Sequence, residues 1–153
     1  VNSYVKSYVK NLIAILLLVC FCLPASAKKT SYGDVMVAAV VSVYDADTFR
    51  VNIQGWPDVV GQNISIRVMG VDAPEIRGKC EAEKIAAKEA KAFTKQALAR
   101  ATKIELKNIR RGKYFRLLAD VYLDDQSLSQ ALINQGLAVP YNGGKRINWC
   151  KRL

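Results

Sequence analysis

The chain has 153 residues, 23 Lys and Arg against 13 Asp and Glu, and no histidine, for a formal charge of +10. Without an imidazole, every mechanism that needs histidine as base, nucleophile or metal ligand is excluded, which leaves carboxylate, arginine, lysine and tyrosine chemistry. The basic excess favours a polyanionic partner, nucleic acid or an anionic membrane, and is also compatible with a simple solubility role.

Lys6 and Lys10 give the chain a basic start, Leu12 to Leu23 is an almost unbroken apolar run, and Pro24 leads into Ala25-Ser26-Ala27. Basic region, apolar region and small-residue site, in that order, predict a secretory signal peptide over residues 1–27, cleaved after Ala27. An uncleaved membrane anchor is the rival reading, but the run of about a dozen residues is shorter than the roughly 20 needed to span a bilayer. The expected product is secreted or periplasmic, monomeric, and without stable membrane association once cleaved. Residues 28–153 then form one domain, large enough for a real core. Two of the basic residues and none of the acidic ones lie in the leader, so the remainder stays strongly basic. Cys20 and Cys22 leave with the leader, and Cys80 and Cys150 remain. An even pair suits an oxidising compartment. A disulfide joining them closes a loop of about 70 residues, worth roughly 4 kcal/mol in the chain-entropy account. Two cysteines with no histidine are too few for a zinc site.

Val35 to Tyr44 is valine-rich and reads as a strand; Thr48 to Ile53 alternates apolar with polar and reads as a second. Asp45-Ala46-Asp47 is the tight turn between them, and Gln54 to Asp58 is a loop. Ile64 to Met69 repeats the alternation as a third strand. Val71 to Lys79, with Pro74 and Gly78, reads as a loop. Glu81 to Ala101 carries Ala82, Ala86, Ala90, Phe93 and Ala97 at helical spacing, with Lys84, Lys88, Lys91 and Lys95 as its solvated side. Lys103 to Asn108 and Phe115 to Leu123 read as two more strands, joined by the basic turn Arg110 to Lys113. After the turn Asp124 to Gln126, Ser127 caps a short helix through Gln135 that Gly136 stops. The tail from Val139 is expected to be irregular and basic. Five short strands with a long helix after the third predict an α+β fold, a five-stranded Greek-key barrel of OB type with two to three helices packed on it. Trp56 and Trp149 are expected to be packing residues.

Three acids and two arginines stand out by position. Asp47 lies in a turn that leaves a strand, and Asp72 and Glu75 follow another strand. Carboxylates converging at strand ends make a hard oxygen site for Ca²⁺, less well for Mg²⁺. Arg67 and Arg116 sit within or at the start of strands. A guanidinium donates two parallel hydrogen bonds to phosphate and stays charged. Phosphodiester hydrolysis needs a metal, a positioned water and cations for the five-coordinate transition state. Taken singly, each of these residues is an ordinary turn acid or surface charge.

Together they carry a resemblance. Asp45-Ala46-Asp47-Thr48-Phe49, Ile66 to Glu75, and Tyr114 to Ala119 resemble, in order and spacing, three signature segments of the staphylococcal (micrococcal) nuclease family, and Ser127 to Ala138 resembles its second helix. The resemblance implies an OB-type barrel and Ca²⁺-dependent cleavage of DNA and RNA, with the 5′-oxygen leaving and 3′-phosphate products. By matched position it implies Asp47, Asp72 and the Ala73 carbonyl as Ca²⁺ ligands. Glu75 would act on the attacking water, as base or as orienter, and Arg67 and Arg116 would hold the phosphate. Lys113 and Tyr114 match nucleotide contacts. Ala46 stands where the family often has Gly and Phe115 where Gly is usual, and Ala73 stands where its founding member has Thr. The tail lacks that member's long third helix, and a Cys80–Cys150 disulfide is expected to tie it to the loop after Glu75. Tyr141, Lys145 and Arg146 extend the nucleic-acid surface, with Tyr141 as a stacking platform, or are simply a solvated tail. The rival class, a noncatalytic OB-type nucleic-acid-binding module, explains the charge but gives no use to three acids beside a phosphate.

Overall fold

The computed structural model describes residues 31–153, together with Tyr4; the rest of the leader expected over residues 1–27, with its expected cleavage site, lies outside the described residues. In chain order the elements are β1 (Val35–Asp45), β2 (Thr48–Ile53), α1 (Asp58–Gly61), β3 (Ile64–Val68), β4 (Gly70–Asp72) and α2 (Glu81–Arg100). There follow β5 (Ile104–Arg111), β6 (Leu117–Leu123), β7 (Gln126–Ser127), α3 (Leu128–Asn134), β8 (Val139–Tyr141) and α4 (Trp149–Arg152).

Strands run side by side in the order β3, β2, β1, β5, β6. β6 then pairs parallel with β3, setting Ile66 opposite Leu117 and Val68 opposite Ala119, and this closes five strands into a barrel of OB type. β1 is the longest strand and carries three register shifts against β2. Such bulges bend a strand and raise its twist, which lets β1 pair with both β2 and β5. Period-two alternation fills the interior: Phe49, Val51, Ile66, Val68, Leu106, Ala119 and Val121 are all buried.

α2 packs against the barrel with a face that overlaps the one expected: Ala90 is buried and Phe93 and Ala97 lie against the core. Glu83, Ala87, Ala90, Thr94 and Leu98 are its buried residues, whereas Ala82 is exposed. Two polar residues hold the inner face because each finds a partner there: Thr94 Oγ1 donates to the Ala46 carbonyl (2.7 Å), and Glu83 folds over the loop before the helix. α3 begins as expected, with Ser127 accepting from the Gln130 N–H (3.4 Å), and ends before Gly136 at φ +70°.

Three expectations are corrected. The loop after β3 contains β4, and the tail expected to be irregular contains β8 and α4; β4 and β8 pair antiparallel, Gly70 with Tyr141 and Asp72 with Val139. Strands of three residues are too short for alternation to reveal. The β5–β6 turn also falls later than expected, because Arg110 and Arg111 still belong to β5 and the chain reverses over Gly112 to Arg116. Both tryptophans pack: Trp149 is buried and Trp56 lies against the core. No helix among the described residues is long and apolar enough to cross a membrane.

Candidate active site

The site lies where the β1–β2 turn, the end of β3, β4 and the following loop meet. Asp47 is only 1% exposed, and its backbone carbonyl accepts from the Val68 N–H, which ties the turn to β3. The Asp47 Oδ1 accepts from the Thr48 hydroxyl (3.0 Å), Oδ2 accepts from the Ala73 N–H (3.3 Å), and the Arg67 guanidinium pairs with the same carboxylate. Burial pushes the Asp47 carboxyl above its ordinary value, while Arg67 and these hydrogen bonds pull it back. Asp45, in the same turn, is likewise pushed up by burial, against the Ile76 N–H that donates to it.

Arg67 projects from β3, with Nη2 donating to the Val71 carbonyl (3.4 Å) and lying 3.9 Å from Asp72 Oδ1. Gly70, at φ +82°, makes the sharp corner between β3 and β4 that brings Asp72 back beside Arg67. Asp72 is fully buried, and its Oδ2 has no hydrogen-bond partner. An orphaned buried carboxylate oxygen is costly unless a cation meets it.

Glu75 is held through its backbone. Its N–H donates to Glu83 Oε1 (3.4 Å), and the Lys79 N–H donates to Glu83 Oε2 (3.0 Å). Glu83 is the third residue of α2 and reaches back past the N-cap Cys80 to the residues before the helix. It packs so closely on Gly78 that a Cβ there would meet its carboxyl at 2.5 Å. The same acid lies beside the Cys80–Cys150 disulfide, whose Cα atoms are 5.9 Å apart. The expected tie between tail and loop is therefore present, and the joined sulfurs are not metal ligands.

Arg146 enters from the tail. Its Nε donates to Asp72 Oδ1 (2.5 Å), Nη2 donates to the Ala73 carbonyl (3.0 Å), and Nη1 pairs with Glu75. Burial acts to lower its pKa, but the hydrogen bonds to Glu75 and Asp72 win and raise it. Sequence reasoning placed this arginine on a general nucleic-acid surface; its contacts lie among the acids instead. The available signal was its position four residues before a paired cysteine.

Asp47, Arg67, Asp72, Ala73 and Glu75 are thus brought together. Arg116 stands one residue before β6, whose Leu118 is the register partner of Arg67, and its buried Nε has no partner. Lys113 and Tyr114 are exposed on the β5–β6 turn, Tyr114 at 90%. Tyr141 lines a cleft of about 400 Å³ that Arg67 also lines, and its hydroxyl donates to the Gly144 carbonyl (2.7 Å). The donor set suits Ca²⁺: carboxylates and a carbonyl supply only oxygen, and Asp72 Oδ2 is free. Asp47 is engaged at both oxygens, yet a carboxylate has about four lone-pair sites and keeps capacity for a cation.

A family model described as "Staphylococcal nuclease homologue" matches residues 65–149, more than half of the chain. The chain belongs to the staphylococcal nuclease family. Endonuclease YncB of Bacillus subtilis (strain 168) is 35% identical over 97 residues, covering 61% of this chain and 43% of that protein. The chain thus spans less than half the length of this curated relative. The family match takes in Arg67, Asp72, Glu75, Arg116 and Arg146, while Asp47 lies before it and is joined to them by the contacts of its carboxylate.

Proposed function

We propose that this chain is an exported, Ca²⁺-dependent phosphodiesterase, secreted or periplasmic, with residues 28–153 as one monomeric nuclease unit. It hydrolyses DNA and RNA, releasing the 5′-oxygen and leaving 3′-phosphate ends. The observation that carries this reading is the buried Asp72 carboxylate, with one oxygen free, lying beside Arg67 and sharing the Arg146 guanidinium with the Ala73 carbonyl and the Glu75 carboxylate.

Asp47, Asp72 and the Ala73 carbonyl hold Ca²⁺, which when bound supplies positive charge to the phosphate and the reacting oxygens. Glu75 is half-exposed and faces the same cradle, so it can orient a water molecule or take its proton as the water oxygen bonds to phosphorus and the bond to the 5′-oxygen breaks. Arg67 and Arg116 donate to the non-bridging oxygens, where negative charge grows in the transition state. Two observations support these roles: Arg67 pairs with Asp47, and Arg116, one residue before the neighbouring strand, has a buried Nε with no partner. Lys113, Tyr114 and Tyr141 extend contact to the flanking nucleotides. A noncatalytic binding module is the weaker reading, because buried acids repel a phosphate when no metal is used.

The test is incubation of the mature protein with supercoiled plasmid and with RNA, in Ca²⁺ or in chelator. Cleavage only in Ca²⁺, with 3′-phosphate ends, is expected. Absence of Ca²⁺-stimulated cleavage overturns the proposal.

A further inference from the structure

Arg146 meets the oxygens that the proposed function assigns to the metal and its water. One guanidinium engages Asp72 Oδ1, the Ala73 carbonyl and the Glu75 carboxylate together. These three groups come from one short segment, and Arg146 arrives from more than 70 residues away in the chain. Its place is built by the fold. On one side, β8 pairs with β4, so Tyr141 is fixed opposite Gly70. The chain then turns through Gly143 and Gly144, at φ +99° and +94°, where Tyr141 holds the Gly144 carbonyl. On the other side, Trp149 is buried and Cys150 is bonded to Cys80. The loop bearing Arg146 is therefore anchored at both ends over the Asp72–Glu75 segment.

We infer that Arg146 is an internal competitor for the divalent cation: its guanidinium fills the Asp72–Ala73–Glu75 cradle and must leave before a metal ion can bind there. The inference rests on the proposed metal role of Asp72 and Ala73. Asp72 Oδ2 is free and the Ala73 carbonyl has a second lone pair, so the competition is one of charge: a guanidinium and a Ca²⁺ ion held by the same buried carboxylate and carbonyl are like charges close together, and one occupancy displaces the other. Metal binding is then an exchange, and its apparent affinity is reduced by the fraction of molecules whose cradle is free. If about a tenth of molecules are free, the apparent Kd is about ten times the intrinsic one. The anchored loop keeps the displaced guanidinium close, so the competition is intramolecular and does not depend on protein concentration. The cation requirement of the enzyme is thereby set partly by a residue that is not a ligand.

The test is calorimetric titration of Ca²⁺ into the oxidised protein without nucleic acid, at fixed ionic strength. Arg146→Met keeps the apolar stem and removes the cation; Lys151→Ala removes an equal charge from an exposed position on α4. Arg146→Met is expected to bind Ca²⁺ about tenfold more tightly, with a larger Ca²⁺-induced rise in Tm, whereas Lys151→Ala changes Kd by less than about twofold. Equal affinity in wild type and Arg146→Met overturns the inference while leaving the nuclease reading intact. An equal gain in Lys151→Ala also overturns it, because net charge and not the contact would be the cause. No Ca²⁺ binding by any of the three overturns the metal reading itself.

Discussion

Arg67 reaches from β3 into the turn after β1, where its guanidinium pairs with the Asp47 carboxylate. Asp47 is almost wholly buried and Arg67 is largely so, which makes each dependent on the other. Removing one partner of a buried pair leaves an uncompensated charge, which costs about 3–5 kcal/mol, whereas removing both can be nearly neutral. Arg67→Met should therefore lower unfolding free energy by roughly 3 kcal/mol, and adding Asp47→Asn should restore part of it. Urea denaturation of the two single variants and the double variant gives the coupling. Both Arg67 variants should lack nuclease activity. Strict additivity of the two losses would show that the ion pair does not couple these residues.

Glu75 and Arg116 should behave differently. The Glu75 side chain is nearly half exposed, and the backbone that carries it is held by Glu83. Arg116 makes no ion pair among the described residues, and its Nε lacks a partner. Glu75→Gln and Arg116→Ala should each cut the cleavage rate by about 10²–10⁴-fold, a range expected for loss of a general base or of a transition-state cation. Unfolding free energy should change by less than about 1 kcal/mol, because neither residue is a packing element. Rates within a few-fold of wild type in either variant would mean the site is elsewhere.

Much of this arrangement is legible in the sequence, and the rest fails for identifiable reasons. β2, β3, α2 and the Ser127 cap follow from alternation, helical period and capping chemistry, all of which are local. The Asp47, Arg67, Asp72 and Glu75 cluster follows from ordered motifs. The α2 face is legible through Ala90, Phe93 and Ala97, but the burial of Glu83 and Thr94 is not, because both are polar and only tertiary partners make their burial tolerable. β4 and β8 escaped because neither is long enough to show a period, and their pairing is what begins the tail's path back to the site. Arg146 escaped because its partners are carboxylates far away in the chain, brought to it by that pairing and by the disulfide.

Phe115 occupies backbone that suits glycine, the residue the family resemblance leads one to expect there. It sits at φ +56° directly after Tyr114 at φ +58°. A left-handed conformation costs a residue with a Cβ about 1–2 kcal/mol, while glycine in the unfolded chain loses about 0.5–1 kcal/mol of that advantage. The ring is 84% exposed, with Arg111 over its face at 5.6 Å, and it borders an apolar recess of about 650 Å³ lined also by Tyr32, Trp56, Val59 and Val60. Phe115→Gly should raise unfolding free energy by up to about 1 kcal/mol, and should weaken binding of single-stranded oligonucleotide if the ring stacks on a base. Denaturation and fluorescence anisotropy check the two halves. A loss of stability would show that the ring is a packing residue after all.

Asp124 gives a pH dependence with a definite sign. Its carboxylate accepts from the Thr102 hydroxyl (2.6 Å), the Lys103 N–H (2.8 Å) and the Thr102 N–H (3.1 Å), joining the turn after β6 to the start of β5. These bonds favour the ionised form and hold the carboxyl below its ordinary value. A carboxylate whose pKa is depressed by folding stabilises the protein above its unfolded value. It loses that contribution as pH falls through the lower folded value. Asp124→Asn keeps a side chain that tolerates the left-handed backbone at φ +47° but removes the charge. The variant should melt below wild type at pH 7, and the difference should begin to shrink as pH drops below about 4 and go on shrinking as pH falls through the lower folded value, where the wild-type carboxyl becomes neutral. Paired melting curves from pH 7 down to about pH 2.5 check this. A difference in Tm that stays constant over that range would show that the charge on Asp124 contributes nothing and that the deficit comes from changed hydrogen-bond geometry alone.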